Sequence, residues 1–225
     1  MLNGDGMARE PKATKTERFA RVVDSLEEAM PEAKIALDYA DELQLLVAVM
    51  LSAQCTDKLV NTVTPALFAR NPTAAHYARS TPAALELQIK RVGLFRTKAK
   101  NLHAAMVRIE EDHGGRIPRT REALNELPGV GWKTAGVVVN HAFDVPAFPV
   151  DTHVGRVARR LGLTRQEDPD KVEAELCALL PSARWGRGHQ LLIWHGRRTC
   201  EAKKPHCSRC VIVGLCPQRG VKVSD

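Results

Sequence analysis

Lys133 and Asp151 stand eighteen residues apart in the segment "LPGVGWKTAGVVVNHAFDVPAFPVD", residues 127–151. A lysine amine in its neutral form attacks an electrophilic carbon to give a Schiff base, and a carboxylate stabilises positive charge as it develops. A second constellation is C-x6-C-x2-C-x5-C at Cys200, Cys207, Cys210 and Cys216. Four thiols at this spacing admit disulfides, a structural zinc or an iron-sulfur cubane. Disulfides suit a basic chain without a secretion signal poorly, and the six-residue first gap departs from the close pairs typical of structural zinc. Cys55 and Cys177 lie in helical apolar stretches and read as buried thiols.

Lys133 falls where a helix should begin, just after a turn containing Gly129 and Gly131. A helix start carries partial positive charge, and that field, with partial burial, favours the neutral amine. The competing role is that of an ordinary solvated lysine. Asp151 is placed to cap the helix beginning "THVGRVARRLG", a structural role worth about 0.5–2 kcal/mol by itself. A carboxylate held rigid as a cap is also preorganised for electrostatic work. "LPGVG" reads either as a plain connection whose glycines supply positive backbone angles, or as a turn whose exposed amides suit a phosphate oxygen.

The elements that must position these groups are helices; no convincing alternating strand is present. The pattern predicts an all-α protein of about ten short helices. Thr14 and Glu17 form a capping-box pattern ahead of a helix stopped by Pro31. "DELQLLVAVMLSAQ" is apolar over so many consecutive positions that it reads as a buried central helix. In "TPAALELQIKRVG", Thr81 caps, Pro82 occupies the first turn and Gly93 terminates. Further helices are expected near 95–112, 120–126, 132–143, 152–161, 170–180 and 187–198, with a proline-bearing joint from Asp144 to Val150.

Thirty-three basic against twenty-six acidic residues give a formal charge of +7, and 44% of the chain is hydrophobic. The basic excess is concentrated: five cations and no acid lie between Lys90 and Lys100, and nine cations against Glu201 alone lie between Arg184 and Lys222. Such runs are often merely solvated faces, but two of them beside these motifs point to a phosphate-bearing polyanion. No apolar run approaches the roughly 20 residues that span a bilayer, and the N-terminus lacks the apolar core of a signal peptide, so a soluble intracellular protein is expected. The polar "MLNGDG" reads as a frayed lead-in, with Met7 an alternative start.

The cysteine loop, preceded by "LLIWHGRRTC" and containing "KKPHC", together with "LPGVGWKTA" and "VDTH", resembles the endonuclease III family of helix-hairpin-helix DNA glycosylases and AP lyases. The resemblance runs from about residue 17 to 217. It implies two all-α lobes. One is a six-helix barrel with the hairpin over residues 35–145; the other is an iron-sulfur cluster domain formed by 1–34 plus 146–225, with the active site in the cleft between them. It implies a 4Fe-4S cluster held by Cys200, Cys207, Cys210 and Cys216, with Lys203 and Lys204 presented to DNA phosphate.

By the same resemblance Lys133 is the Schiff-base nucleophile and Asp151 the catalytic carboxylate, while Gly129, Val130 and Gly131 grip the strand. Gln54, in "LSAQ", enters the gap left by an extruded nucleotide, and Leu94, in "RVGLFRTKAKNL", is an apolar wedge. His153, just after Asp151, is expected to be a DNA-binding site residue, with a helix-packing role as the alternative. The implied activity is excision of oxidised pyrimidines followed by β-elimination. The implied partner is double-stranded DNA with a damaged base or abasic site, bound by a monomer in the cytoplasm at the nucleoid. Trp132 departs from the pattern, since a basic residue often precedes the lysine, and it has no assigned role. A mismatch adenine glycosylase shares fold, cluster and aspartate, but Lys133 and the short stretch after Cys216 tell against it. A non-catalytic iron-sulfur redox sensor that binds DNA is the other alternative.

Overall fold

The computed structural model describes residues 10–225 and is all-helical, with no strand among them. The glycine-rich lead-in and Met7 lie outside the described residues. The chain divides into two compact units, Ile35–Ala147 and the segment up to Lys34 together with Phe148–Asp225.

The Ile35–Ala147 unit is organised around α2 (Glu42–Ser52), whose residues Leu45 to Leu51 are all buried. A helix that is apolar on every side has nowhere to go but a core, and each buried leucine or valine contributes about 1.5–3 kcal/mol. Asp41 caps it, accepting from the Gln44 amide at 2.8 Å. Around it stand α3 (Asp57–Arg70), α4 (Ala74–Arg79), α5 (Pro82–Ile89), α6 (Phe95–His113), α7 (Arg121–Asn125) and α8 (Trp132–Phe143). The helices α3, α6 and α8 pack directly on α2, and α4 and α5 reach the core through α6.

The other unit joins α1 (Lys12–Ala29) to α9 (Thr152–Arg160), α10 (Pro169–Cys177) and α11 (Trp185–Arg198), with 3-10 turns at Ser182–Arg184 and Val213–Leu215. Its core is built on Phe19, Leu26, Phe148, Val157 and Leu192. Polar ties hold the N-terminal helix there: Arg18 donates to the carbonyls of Leu161 and Leu215, and Arg187 to the Glu27 carboxylate at 2.7 Å. No helix among the described residues is long and apolar enough to cross a membrane.

Three local expectations need correction. The capping box at Thr14 does not form, because α1 has already begun at Lys12; Pro11, whose ring fixes its backbone angle, starts it and accepts from the Lys15 amide. The helix α5 ends at Ile89, so Gly93 is not its terminator; the left-handed residue is Leu94, one position later. Cys55 and Cys177 are half-buried against the two cores, and Cys55 lies in the loop after α2 instead of in a helix. The elements α3, with Pro65 inside it, and α4 lie outside the set of helices expected from pattern.

Candidate active site

Leu127 and Val130 are buried and anchor the turn between α7 and α8, and the Val130 amide closes it on the Leu127 carbonyl at 3.0 Å. Gly129 has φ +77°, and a side chain there would meet Asn101 at 2.7 Å, so both the angle and the space demand glycine. Gly131 does not share this property: its φ of −83° is extended, and it is the N-cap of α8 with open space around it. The hairpin thus uses one positive angle, not two. Because the Val130 amide is already spent, the donors this hairpin offers outward are those of α8's first turn. That turn has no side-chain cap and no acidic residue, so its amides and positive dipole end remain available to an anion.

Lys133 is the second residue of α8 and is exposed, so the expected partial burial is not found. Beside it, the Arg121 guanidinium lies 4.1 Å from the centroid of the Trp132 ring and donates to the Trp132 carbonyl at 3.0 Å. Gly136, one turn on, leaves the room: a Cβ there would sit 2.8 Å from the guanidinium carbon. Trp132 therefore acts as a shelf that fixes a cation at the start of α8.

Asp151 is the N-cap of α9, its carboxylate accepting from the Val154 amide at 2.8 Å. The preceding Phe148 and Val150 are buried and hold the approach. His153 is half-buried: its Cβ lies 3.0 Å from where a side chain on Gly196 would begin, and its Nδ1 is 3.2 Å from Arg156 Nη2. Arg156 in turn donates to the carbonyls of Gly196 and Cys200. These contacts join α9 to α11 and to the cysteine loop.

Gln54 and Leu94 are both left-handed, with φ of +53° and +58°. For non-glycine residues this costs roughly 1–3 kcal/mol each and persists only where surrounding contacts enforce it. Leu94 is 58% exposed. Neither angle is visible in the sequence.

Cys200, Cys207, Cys210 and Cys216 are half-buried, line one small pocket with Arg160, His195 and apolar side chains, and form no disulfide. N–H groups point at the sulfurs: Arg160 Nη1 lies 3.3 Å from Cys200 Sγ and the Gln218 amide 3.4 Å from Cys216 Sγ. Burial pushes the Cys210 and Cys216 thiols up, with the neighbouring thiols adding to the effect, and burial holds His195 down to about 4. Among the described residues, no three His, Cys, Asp or Glu side chains are grouped to hold a single metal ion. Lys203 and Lys204 are exposed on the loop between Cys200 and Cys207.

Comparison with known proteins gives a consistent picture. Residues 47–182 match the model of the HhH-GPD superfamily of base excision DNA repair proteins. Endonuclease III of Synechocystis sp. is 45% identical over 206 residues, which are 91% of this chain and 94% of that protein. The Escherichia coli K12 enzyme of the same name is 38% identical over 195 residues, 87% and 92% of the two chains. A solved structure of a trapped endonuclease III–DNA covalent intermediate superimposes with a TM-score of 0.86 at 40% identity, covering 90% of this chain and 96% of that one. A thermostable thymine-DNA glycosylase, 22% identical with a TM-score of 0.80, shares the fold.

Proposed function

Because the chain belongs to the HhH-GPD superfamily of base excision DNA repair proteins, and within it to the endonuclease III family, we propose that Lys133 is its nucleophile and Asp151 its catalytic carboxylate. The protein is a DNA N-glycosylase and AP lyase of base excision repair. The Lys133 amine attacks the anomeric carbon of the damaged nucleotide; the new N–C bond forms as the glycosidic bond breaks, and the departing base is protonated from solvent. Asp151 takes the ammonium proton and balances the cationic sugar. The sugar ring then opens at its C1′–O4′ bond, O4′ taking up a proton, and the C1′–N bond becomes the Schiff base. The Schiff base acidifies the adjacent sugar hydrogen, and loss of that proton expels the 3′ phosphate by β-elimination.

The observation that supports this reading most strongly is an exposed lysine one residue inside an uncapped helix start, delivered by a hairpin whose positive-φ glycine is sterically enforced. The proposed strand grip is made by the amides of α8's first turn, presented by the turn through Gly129, Val130 and Gly131 that the Val130–Leu127 bond closes, while Gln54 enters the gap left by a flipped nucleotide and Leu94 wedges the stack. His153 holds α9 in place. Cys200, Cys207, Cys210 and Cys216 are the proposed ligands of a 4Fe-4S cluster: four sulfur donors around a mostly apolar pocket, with N–H groups directed at two of them, fit such a group. When bound, the cluster supplies a structural cross-link, and Lys203 and Lys204 on its loop meet phosphate. The proposed substrate is double-stranded DNA containing an oxidised pyrimidine or an abasic site, engaged by a monomer at the nucleoid.

Duplexes each carrying one oxidised pyrimidine, one abasic site or one mispaired adenine test the assignment. Base release and strand cleavage are expected on the first, and cleavage on the second. Release confined to mispaired adenine would overturn it.

A further inference from the structure

Lys98 lies in the basic run from Lys90 to Lys100, yet it is buried, with 8% of its surface exposed. Its ammonium nitrogen is 2.8 Å from the carbonyl oxygen of Leu51, near the end of α2. A helix leaves its last carbonyls without intrahelical partners and with partial negative charge. At the end of α2, Ser52 Oγ donates to the Val49 carbonyl, the Cys55 amide donates to the Ser52 carbonyl, and Lys98 serves Leu51. No basic residue of α2's own last turn is present to do this. Conversely, α6 begins at Leu94 without a side-chain cap or an acid, and Lys98 is in its opening turn, where a cation is unfavourable. One bond resolves both imbalances by giving the cation of one helix start to the carbonyl of another helix end.

The consequence lies in what the two helix ends carry. Gln54 follows α2 by two residues, and Leu94 is the N-cap of α6; both are left-handed. The Lys98 amide itself bonds the Leu94 carbonyl at 3.0 Å, so Lys98 holds Leu94 by its backbone and the Gln54 loop by its side chain. The loops also meet directly, since the Cβ position of Gly93 is 3.6 Å from the Gln54 carbonyl oxygen.

We propose that Lys98 is a positioning residue that locks the Gln54 and Leu94 loops into a single rigid wedge for the distorted duplex. The proposal rests on the reading of Gln54 and Leu94 as the residues that enter the base stack. A wedge that must stay strained while it displaces stacked bases needs a brace that water does not compete for, and a buried charge-assisted bond supplies one. Lys98 itself touches no DNA.

The test compares full-length wild type with Lys98→Met, Gln54→Ala and Leu94→Ala. Each is titrated against an undamaged duplex and against one carrying a single tetrahydrofuran abasic analogue, with 2-aminopurine beside it to report unstacking. Lys98→Met is expected to lose about tenfold in preference for the abasic analogue, with a smaller 2-aminopurine signal and unchanged affinity for undamaged DNA. Hydrogen exchange should quicken at residues 51–55 and 94–98 alone, and adding Lys98→Met to Gln54→Ala should cost little more than Gln54→Ala. Should Lys98→Met fail to fold, Lys98→Gln carries the same comparison. A folded Lys98 variant with wild-type preference, beside Gln54→Ala and Leu94→Ala variants that lose it, would overturn the brace and leave the wedge reading intact. Wild-type preference in Gln54→Ala and Leu94→Ala would overturn the wedge reading and the brace together.

Discussion

The carboxylate of Asp151 accepts a 2.8 Å hydrogen bond from the Val154 amide and caps α9. One oxygen is thereby fixed by the fold, so the cap and the proposed chemistry separate on substitution. Asparagine caps a helix about as well as aspartate. Asp151→Asn should therefore melt within a few degrees of wild type while base release slows by about 10²-fold or more. Thermal unfolding by circular dichroism and single-turnover base release check the pair; a variant as fast as wild type would leave Asp151 with its capping role only.

Arg121 and Trp132 make a second separable unit. Their stack places a guanidinium at the start of α8. Removing Arg121 should reduce the salt dependence of DNA binding by about one phosphate contact. Trp132→Ala should reproduce the loss and Trp132→Phe should retain most of the contact, because a smaller ring still offers a face to the cation. Binding titrations at several salt concentrations measure the slope; equal slopes in wild type and Arg121→Ala would contradict this role.

The four-cysteine pocket predicts a brown protein. Visible absorption and iron content should both vanish in Cys210→Ser, with a lowered melting temperature, while Cys55→Ser and Cys177→Ser keep the colour. A colourless wild-type protein containing zinc would refute the cluster assignment.

His141, in the last turn of α8, has a pKa held below the ordinary histidine value by burial, opposed by Asp144. A depressed folded-state pKa means that the unfolded chain takes up the proton first as pH falls. The associated stability is complete above the unfolded value of about 6.5 and is lost as pH drops through the folded value. The fall in melting temperature between pH 7.5 and 5 should thus be smaller in His141→Gln than in wild type. Identical pH profiles would remove His141 from the acid response.

Much of this architecture is legible in the chain, and the exceptions share a cause. The apolar run around Leu45–Leu51 announces a central helix, and Thr81 and Asp151 announce helix starts through side chains that act locally. The helix α3 is hidden because Pro65 breaks the local pattern, a penalty that tertiary packing overrides. Lys98 reads as one more solvated cation because its partner, Leu51, is forty-seven residues away. Gln54 and Leu94 carry positive angles that only glycine would signal. Lys133 and Asp151 were legible as reactive types at structured positions, whereas the company Lys133 keeps, Arg121 on the Trp132 ring, required the fold.

The central claim is that the Lys133 amine becomes covalently joined to the sugar. Borohydride added during turnover on a duplex with one oxidised pyrimidine reduces a Schiff base to a stable amine, and the product is resolved as a protein–DNA adduct on a denaturing gel. Wild type is expected to give one adduct, mapped by mass spectrometry to the peptide containing Lys133, and Lys133→Gln to give none. Absence of an adduct with active wild type, or an undiminished adduct with Lys133→Gln, would contradict the account.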